Sequence, residues 1–248
     1  IVHDQQDDAT SEALNNRIDS MHNSQILLME GRYHSPGMAR NAGLSKANGR
    51  WIQFVDSDDL PSISRSLKMI SESPSEAELL IGKYIYFDVM NSKTYRLKPN
   101  CDPKMELALN PGLWRIIIRN ELLVGHKFGE SRMAEDQLFL LEINLFGRRL
   151  SFAPESIYRY STNQSNQLTS RIDVLEDLMI VIPRTFEIFM AAPKCQKKYI
   201  GIFLARQILT YMKSQSRFDA KMYSLYKQFH KWFSVPVPPK ALLLWHES

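Results

Sequence analysis

Cysteine is scarce in this chain of 248 residues: Cys101 and Cys195 lie far apart, with no Cys-x-x-Cys spacing. That excludes a disulfide framework and a structural zinc site, and it fits a reducing, cytoplasmic compartment. No apolar run approaches the ~20 residues needed to cross a bilayer. The opening IVHDQQDDAT has no basic region followed by an apolar stretch, so it does not read as a signal peptide. It reads as the end of a strand, so the chain is expected to begin inside a fold. Internal repeats and low-complexity tracts are absent, and no nucleic-acid recognition motif accompanies the basic residues.

What is present is ordinary for a folded, water-soluble chain: 44% hydrophobic and 23% charged residues. The length suffices for one large domain or for a domain with an appendage. The net charge of +4 is unevenly spread. From Lys194 onward ten Lys and Arg face only Asp219 and Glu247, a surplus of eight, which leaves the preceding part at −4. An acidic front and a basic tail suggest a cation-dependent site and a surface drawn to anions.

Residues 1–60 read as strands alternating with helices, the pattern of an α/β fold with a mostly parallel sheet covered on both faces. Ile1-Val2 ends a strand at His3-Asp4, with Thr10 or Ser11 as a cap for the helix that follows. QILLME is a second strand. SPGMARNAGLSKANG is a turn opening a short helix, and WIQFV is a third strand. Beyond it, Pro61 suits a first helical turn. ELLIGKYIYFDV and KTYRLKP suggest a hairpin about Asn91-Ser92, and LWRIIIRNELL is ambiguous between strand and helix. AEDQLFLLEINLFG reads as an amphipathic helix stopped by Gly147. From Ile172 the apolar spacing becomes helical throughout, including Met222, Leu225, Tyr226, Phe229, Trp232 and Phe233 at i, i+3/4, i+7. This sets a boundary between a domain over 1–170 and a helical, basic region over 171–248.

In such folds ligands bind off the carboxyl ends of strands. Asp4 and the run Asp56-Ser57-Asp58-Asp59 both fall there. An Asp-x-Asp at a strand end turns two carboxylates to one side, and hard divalent cations bind carboxylate together with phosphate oxygens. The bland alternative is that Asp58 or Asp59 caps the following helix. Glu135-Asp136 opens another helix, where acids also favour the positive end without any catalytic role.

GMARNAGLSKANGRWIQFVDSDD resembles the signature of family-two glycosyltransferases of the GT-A fold, in order, spacing and residue type over more than twenty positions. Val2-His3-Asp4-Gln5-Gln6-Asp7-Asp8 resembles the segment where that family has Val-Asp-Asp-Gly-Ser-Thr-Asp, with His3 and Gln5-Gln6 as departures. The resemblance covers residues 1 to about 165. The C-terminal helical extension lies beyond it and is read from its apolar spacing. The resemblance implies a Rossmann-like GT-A sheet whose first strand would lie upstream of Ile1, and an inverting transfer from a nucleotide sugar such as a UDP-sugar. The acceptor it implies is a glycan or a lipid-linked saccharide, as in polysaccharide synthesis. By the same resemblance Asp136 is the general base and Asp58 the ligand of Mn²⁺ or Mg²⁺. Asp4 meets the base of the nucleotide and Asp56 its ribose or, through water, the metal, while Arg40 pairs with Asp4 or reaches the nucleotide. Arg159, Ser165 and Arg171 are weaker candidates to close over the diphosphate, and Trp114 falls where relatives shape the acceptor site, though a large aromatic is more often core.

Two rivals stay open at this level. A phosphohydrolase of the haloacid dehalogenase type also places Asp-x-Asp after a strand, but its usual Thr or Val is Leu60 here. The other rival is a degenerate transferase domain kept for binding or assembly. The aromatic stripe of the tail packs on the catalytic domain, lies on an anionic membrane through Lys221, Lys227 and Lys231, or serves assembly.

Overall fold

The computed structural model describes residues 1–4, 8–21, 25–96, 102–163 and 172–214. Asp7, Cys101, Ser165, Arg171, Lys221, Lys227 and Lys231, with the aromatic stripe of the tail, lie outside them.

Strand β1 (Val2–Asp4) pairs in parallel with β2 (Met29–Gly31), placing Asp4 opposite Gly31. Helix α1 (Asp8–Ser20) connects them and begins before Thr10 and Ser11, so neither is its cap. Helix α2 (Pro36–Lys46) starts where its sequence dictates. Ser35 accepts the Met38 N–H through its side chain, and Pro36 takes the first turn, where a missing N–H costs nothing. Strand β3 (Trp51–Gln53) leads into the acidic run, followed by the two-residue strand β4 (Leu60–Pro61) and α3 (Ile63–Ser71). Pro61 therefore lies on an edge strand, where its missing donor is harmless, and Ser62 occupies the cap of α3.

The chain continues through β5 (Leu79–Asp88), β6 (Lys93–Arg96), α4 (Pro103–Leu109) and a 3-10 turn over Leu113–Arg115. After these come β7 (Ile116–Arg119), α5 (Glu135–Glu142) and β8 (Leu150–Thr162). Helices α6 (Ile172–Leu175), α7 (Leu178–Ala191) and α8 (Lys194–Ser214) follow. The ambiguous LWRIIIRNELL thus resolves as a strand between two 3-10 turns.

The larger sheet runs β3-β7-β5-β8-β4, with β6 added on β5. The α/β class stands, but the mostly parallel sheet expected from the sequence gives way to a mixed one. Only β5·β8 and the separate β1·β2 ladder are parallel among the described ladders, while β3·β7, β4·β8, β5·β6 and β5·β7 are antiparallel. The expected hairpin is one cause. It turns at Asn91-Ser92, with Ser92 in the left-handed region at φ 51°, and a short hairpin enforces antiparallel pairing.

β5 is the spine. Leu79 and Ile81 face one hydrophobic cluster and Leu80 the other, each fully excluded from water, matched by Ile116, Ile117 and Ile118 of β7. Unbroken apolar runs of this kind belong to strands covered on both faces. The first cluster also takes in Val181, Ile182, Phe203, Leu204 and Ile208, so α7 and α8 close over the sheet and α5. No helix among the described residues is long and apolar enough to cross a membrane.

Candidate active site

The site is assembled around one guanidinium. Arg40, on α2, donates from Nη2 to Asp56 Oδ1 at 2.8 Å and from Nη1 to Glu135 Oε1 at 2.5 Å. It therefore bridges the turn after β3 to the first residue of α5. Burial alone would lower the pKa of Arg40, but Asp56, Glu135 and Asp136 outweigh it and hold the pKa above the ordinary value. The pairing with Asp4 anticipated from the sequence is not what the fold builds. Asp4 Oδ1 instead accepts the Tyr33 N–H at 2.8 Å, which ties the tip of β1 to the loop after β2. Part of the positive charge that the acidic run needs is thus resident, as Arg40.

Asn41, next in sequence, has an equally specific task. Its Nδ2 donates to the Phe128 carbonyl at 2.9 Å, and its Oδ1 accepts the Phe128 N–H at 2.8 Å. One side-chain amide thereby satisfies both backbone polar groups of Phe128, in the segment leading to α5. Phe128 stacks on Phe139 with centroids 3.8 Å apart and meets Phe54 edge-on at 5.2 Å. Gly37 lets α2 approach this segment, since a Cβ there would stand 2.6 Å from the Gly129 carbonyl oxygen. Arg132 grips Asp177 through its backbone N–H at 2.7 Å and through Nε and Nη2 at 3.0 and 2.9 Å. The sequence reading missed Asn41 and Glu135 as partners of this frame, although both lie inside the stretches it singled out.

Just before α5, Ala134 adopts φ 57°, uncommon for a residue with a Cβ, and Glu135 and Asp136 follow at once. Asp136 is partly exposed, and its Oδ1 accepts the Gln137 N–H at 2.8 Å. Burial, with Glu135 next in weight, pushes its carboxyl up to about 7, while Arg40 pulls the other way. That is a value suited to a proton acceptor working near neutrality.

At the strand tip, Asp59 is buried and does not cap a helix. Its Oδ1 accepts the Ser161 N–H at 2.7 Å, fastening the acidic turn to β8. Burial raises its carboxyl to about 6, opposed by that N–H and by the Tyr158 hydroxyl. Asp58 is exposed, and desolvation and then Asp56 raise its pKa. The Asp56 N–H donates to the Tyr158 hydroxyl at 3.1 Å. Tyr158 and Tyr160 line this face of β8, with Trp114 stacked on both at 4.5 and 5.1 Å. Arg159 lies between them in the strand and so points to the opposite face, where it covers the Phe87 ring at 4.3 Å. It is no candidate for the diphosphate in this geometry.

A metal fits here only with help from a ligand. Among the described residues no group of three His, Cys, Asp or Glu side chains is gathered to hold an ion. Magnesium-type ions, however, commonly take one or two carboxylates and complete their shell with water and substrate phosphates. Asp58 satisfies that pattern, whereas Asp56 already faces Arg40.

The fold is that of the GT-A class of glycosyltransferases, shared with Staphylococcus aureus TarS 1–349 in complex with UDP-GlcNAc. That likeness has a TM-score of 0.59 at 18% identity, covering 86% of this chain and 62% of that one. The mannosyltransferase PcManGT of Pyrobaculum calidifontis, solved with GDP-Man and Mn²⁺, gives 0.58 at 15% identity, covering 93% and 72%. The chain belongs to glycosyl transferase family 2, whose family model matches residues 1–137. In sequence it is 30% identical over 148 residues to the uncharacterized glycosyltransferase EpsJ of Bacillus subtilis, covering 53% of this chain and 43% of EpsJ. It is 25% identical over 155 residues to the poly(ribitol-phosphate) beta-N-acetylglucosaminyltransferase TarS, covering 58% of this chain. The chain spans 43% of EpsJ and 26% of TarS, less than half the length of either.

Proposed function

We propose that this chain carries a metal-assisted, inverting glycosyltransferase site. It would move a sugar from a nucleotide-sugar donor, such as a UDP-sugar, to a hydroxyl of a glycan or lipid-linked saccharide. The observation that carries this is the clamp at Arg40, which brings the strand-tip acid Asp56 and the helix start Glu135-Asp136 into one crevice. Donor-side and acceptor-side chemistry need that closeness, because the departing diphosphate and the entering hydroxyl react at one anomeric carbon. Complexes of the fold relatives with UDP-GlcNAc, GDP-Man and Mn²⁺ support the choice of donor and ion.

In this scheme Asp136 takes the proton of the acceptor hydroxyl as its oxygen attacks, and its raised pKa keeps it basic enough to do so. Asp4 and Asp56 hold the nucleoside, and Arg40 fixes Asp56. Asp58 would hold the divalent cation, Mn²⁺ or Mg²⁺, together with donor phosphate oxygens, and such an ion offsets charge growing on the leaving group. Residues 1–170 form the catalytic part in this scheme, and the helical region from 171 closes its acceptor side.

The test is incubation of the full-length protein with Mn²⁺ and a panel of UDP- and GDP-sugars, followed by nucleoside diphosphate release. One donor should be hydrolysed slowly without acceptor. A panel left wholly intact, with no nucleotide bound, contradicts the proposal.

A further inference from the structure

Two consecutive residues of α8, Arg206 and Gln207, lie in two different surroundings beside this region. Gln207 is 2% exposed, and its Nε2 donates to Gln137 Oε1 at 3.2 Å, one residue beyond Asp136. Arg206, its neighbour, turns the other way. Arg206 as a whole is exposed, yet its surroundings partly desolvate the guanidinium and lower its pKa, and it makes no hydrogen bond or ion pair among the described residues. It lies within electrostatic reach of Tyr86 and Tyr84, whose hydroxyls are 3.1 Å apart.

These phenols begin a continuous aromatic wall. Tyr84 meets Trp114 edge-on at 4.7 Å, and Tyr86 meets Tyr160 at 5.8 Å. Trp114 stacks on Tyr158, whose hydroxyl holds the Asp56 N–H. One face of the sheet therefore carries a run of aromatic contacts from the acidic turn to Tyr86, and Gln207 ties α8 to the residue that follows Asp136. The other two arginines near this surface are already neutralised: Arg40 by Asp56 and Glu135, and Arg115 by Glu106 at 3.0 Å. A cation left over beside apolar rings, where charge is screened less than in bulk water, is a ready receptor for a planar or tetrahedral anion.

We propose that Arg206 binds an anionic group, phosphate or carboxylate, on the acceptor saccharide, with Tyr86 and Trp114 lining the path from that group to Asp136. This names the acceptor class and rests on the transferase reading above. It also gives the acidic crevice a reason to admit an anionic acceptor, since Arg206 offsets the repulsion from Asp56, Asp58 and Asp59.

The experiment is calorimetric titration of the full-length protein and its Arg206→Gln variant with glucose 6-phosphate, glucuronate and glucose. UDP is titrated into the same preparations. The wild type should bind at least one of the two anionic sugars about tenfold or more tightly than glucose, a difference of the size expected for a charge-assisted pair. Arg206→Gln should erase that preference and leave UDP affinity unchanged. A wild type that does not discriminate, or a preference that survives in Arg206→Gln, overturns the assignment. Absence of UDP binding by the wild type overturns the transferase reading itself, and it is read independently of the sugars.

Discussion

Replacing Asp136 by Asn should lower sugar transfer by roughly 10²–10⁴-fold, the usual contribution of a positioned proton acceptor, while donor binding stays near normal. The amide keeps the shape of the carboxyl and can still accept the Gln137 N–H, so α5 should start as before. It cannot take a proton. Product formation with a saturating acceptor, measured beside UDP titration, separates the two effects, and retained turnover removes Asp136 from the base role. The wild-type pH profile carries the same signature. With its carboxyl at about 7, Asp136 is protonated and idle in acid, and activity should rise with pH through that region. An ordinary exposed carboxylate would place the rise near 4.

The second large effect belongs to Arg40→Ala. Removing the guanidinium leaves Asp56, Glu135 and Asp136 facing one another with no resident cation. Breaking a buried ion pair by deleting one partner costs about 3–5 kcal/mol. The side chain of Asp56 is 33% exposed against 6% for Glu135, so solvent screens part of the loss and the lower end applies. For a chain of this size about 3 kcal/mol lowers Tm by roughly 6–12 °C. Thermal unfolding measures it, and a shift of a degree or two would mean that the clamp does not hold the crevice together. Arg40→Lys should recover only part of the loss, because a single ammonium does not span two carboxylates as a planar fork does.

Much of this site was legible in the sequence because its chemistry is local. Asp56-Ser57-Asp58 follows a strand, Glu135-Asp136 opens a helix, and strand tips are where such folds bind ligands. What could not be read was pairing across the chain. Arg40 and Glu135 are 95 residues apart, and nothing in either segment says that the cation meets the second acid rather than Asp4. Asn41 gave no more warning, since an amide clamping the Phe128 peptide looks in sequence like any helix-surface asparagine. Arg159 was misplaced for a simpler reason: the alternation of β8 decides its face, and its ladder with β5 was not foreseeable. The mixed sheet belongs to the same class of error, because alternating strands and helices in residues 1–60 say little about how β5, β7 and β8 meet.

The central claim is that the acidic strand tip accepts a nucleoside diphosphate through a cation held at Asp58. Titrating UDP into the wild type and Asp58→Asn, with and without Mn²⁺, tests it most directly. Mn²⁺ should tighten UDP binding to the wild type by about tenfold or more, the size of one charge-assisted contact. In Asp58→Asn that gain should vanish while the metal-free affinity persists. A wild type indifferent to Mn²⁺, or a gain undiminished in the variant, would contradict it.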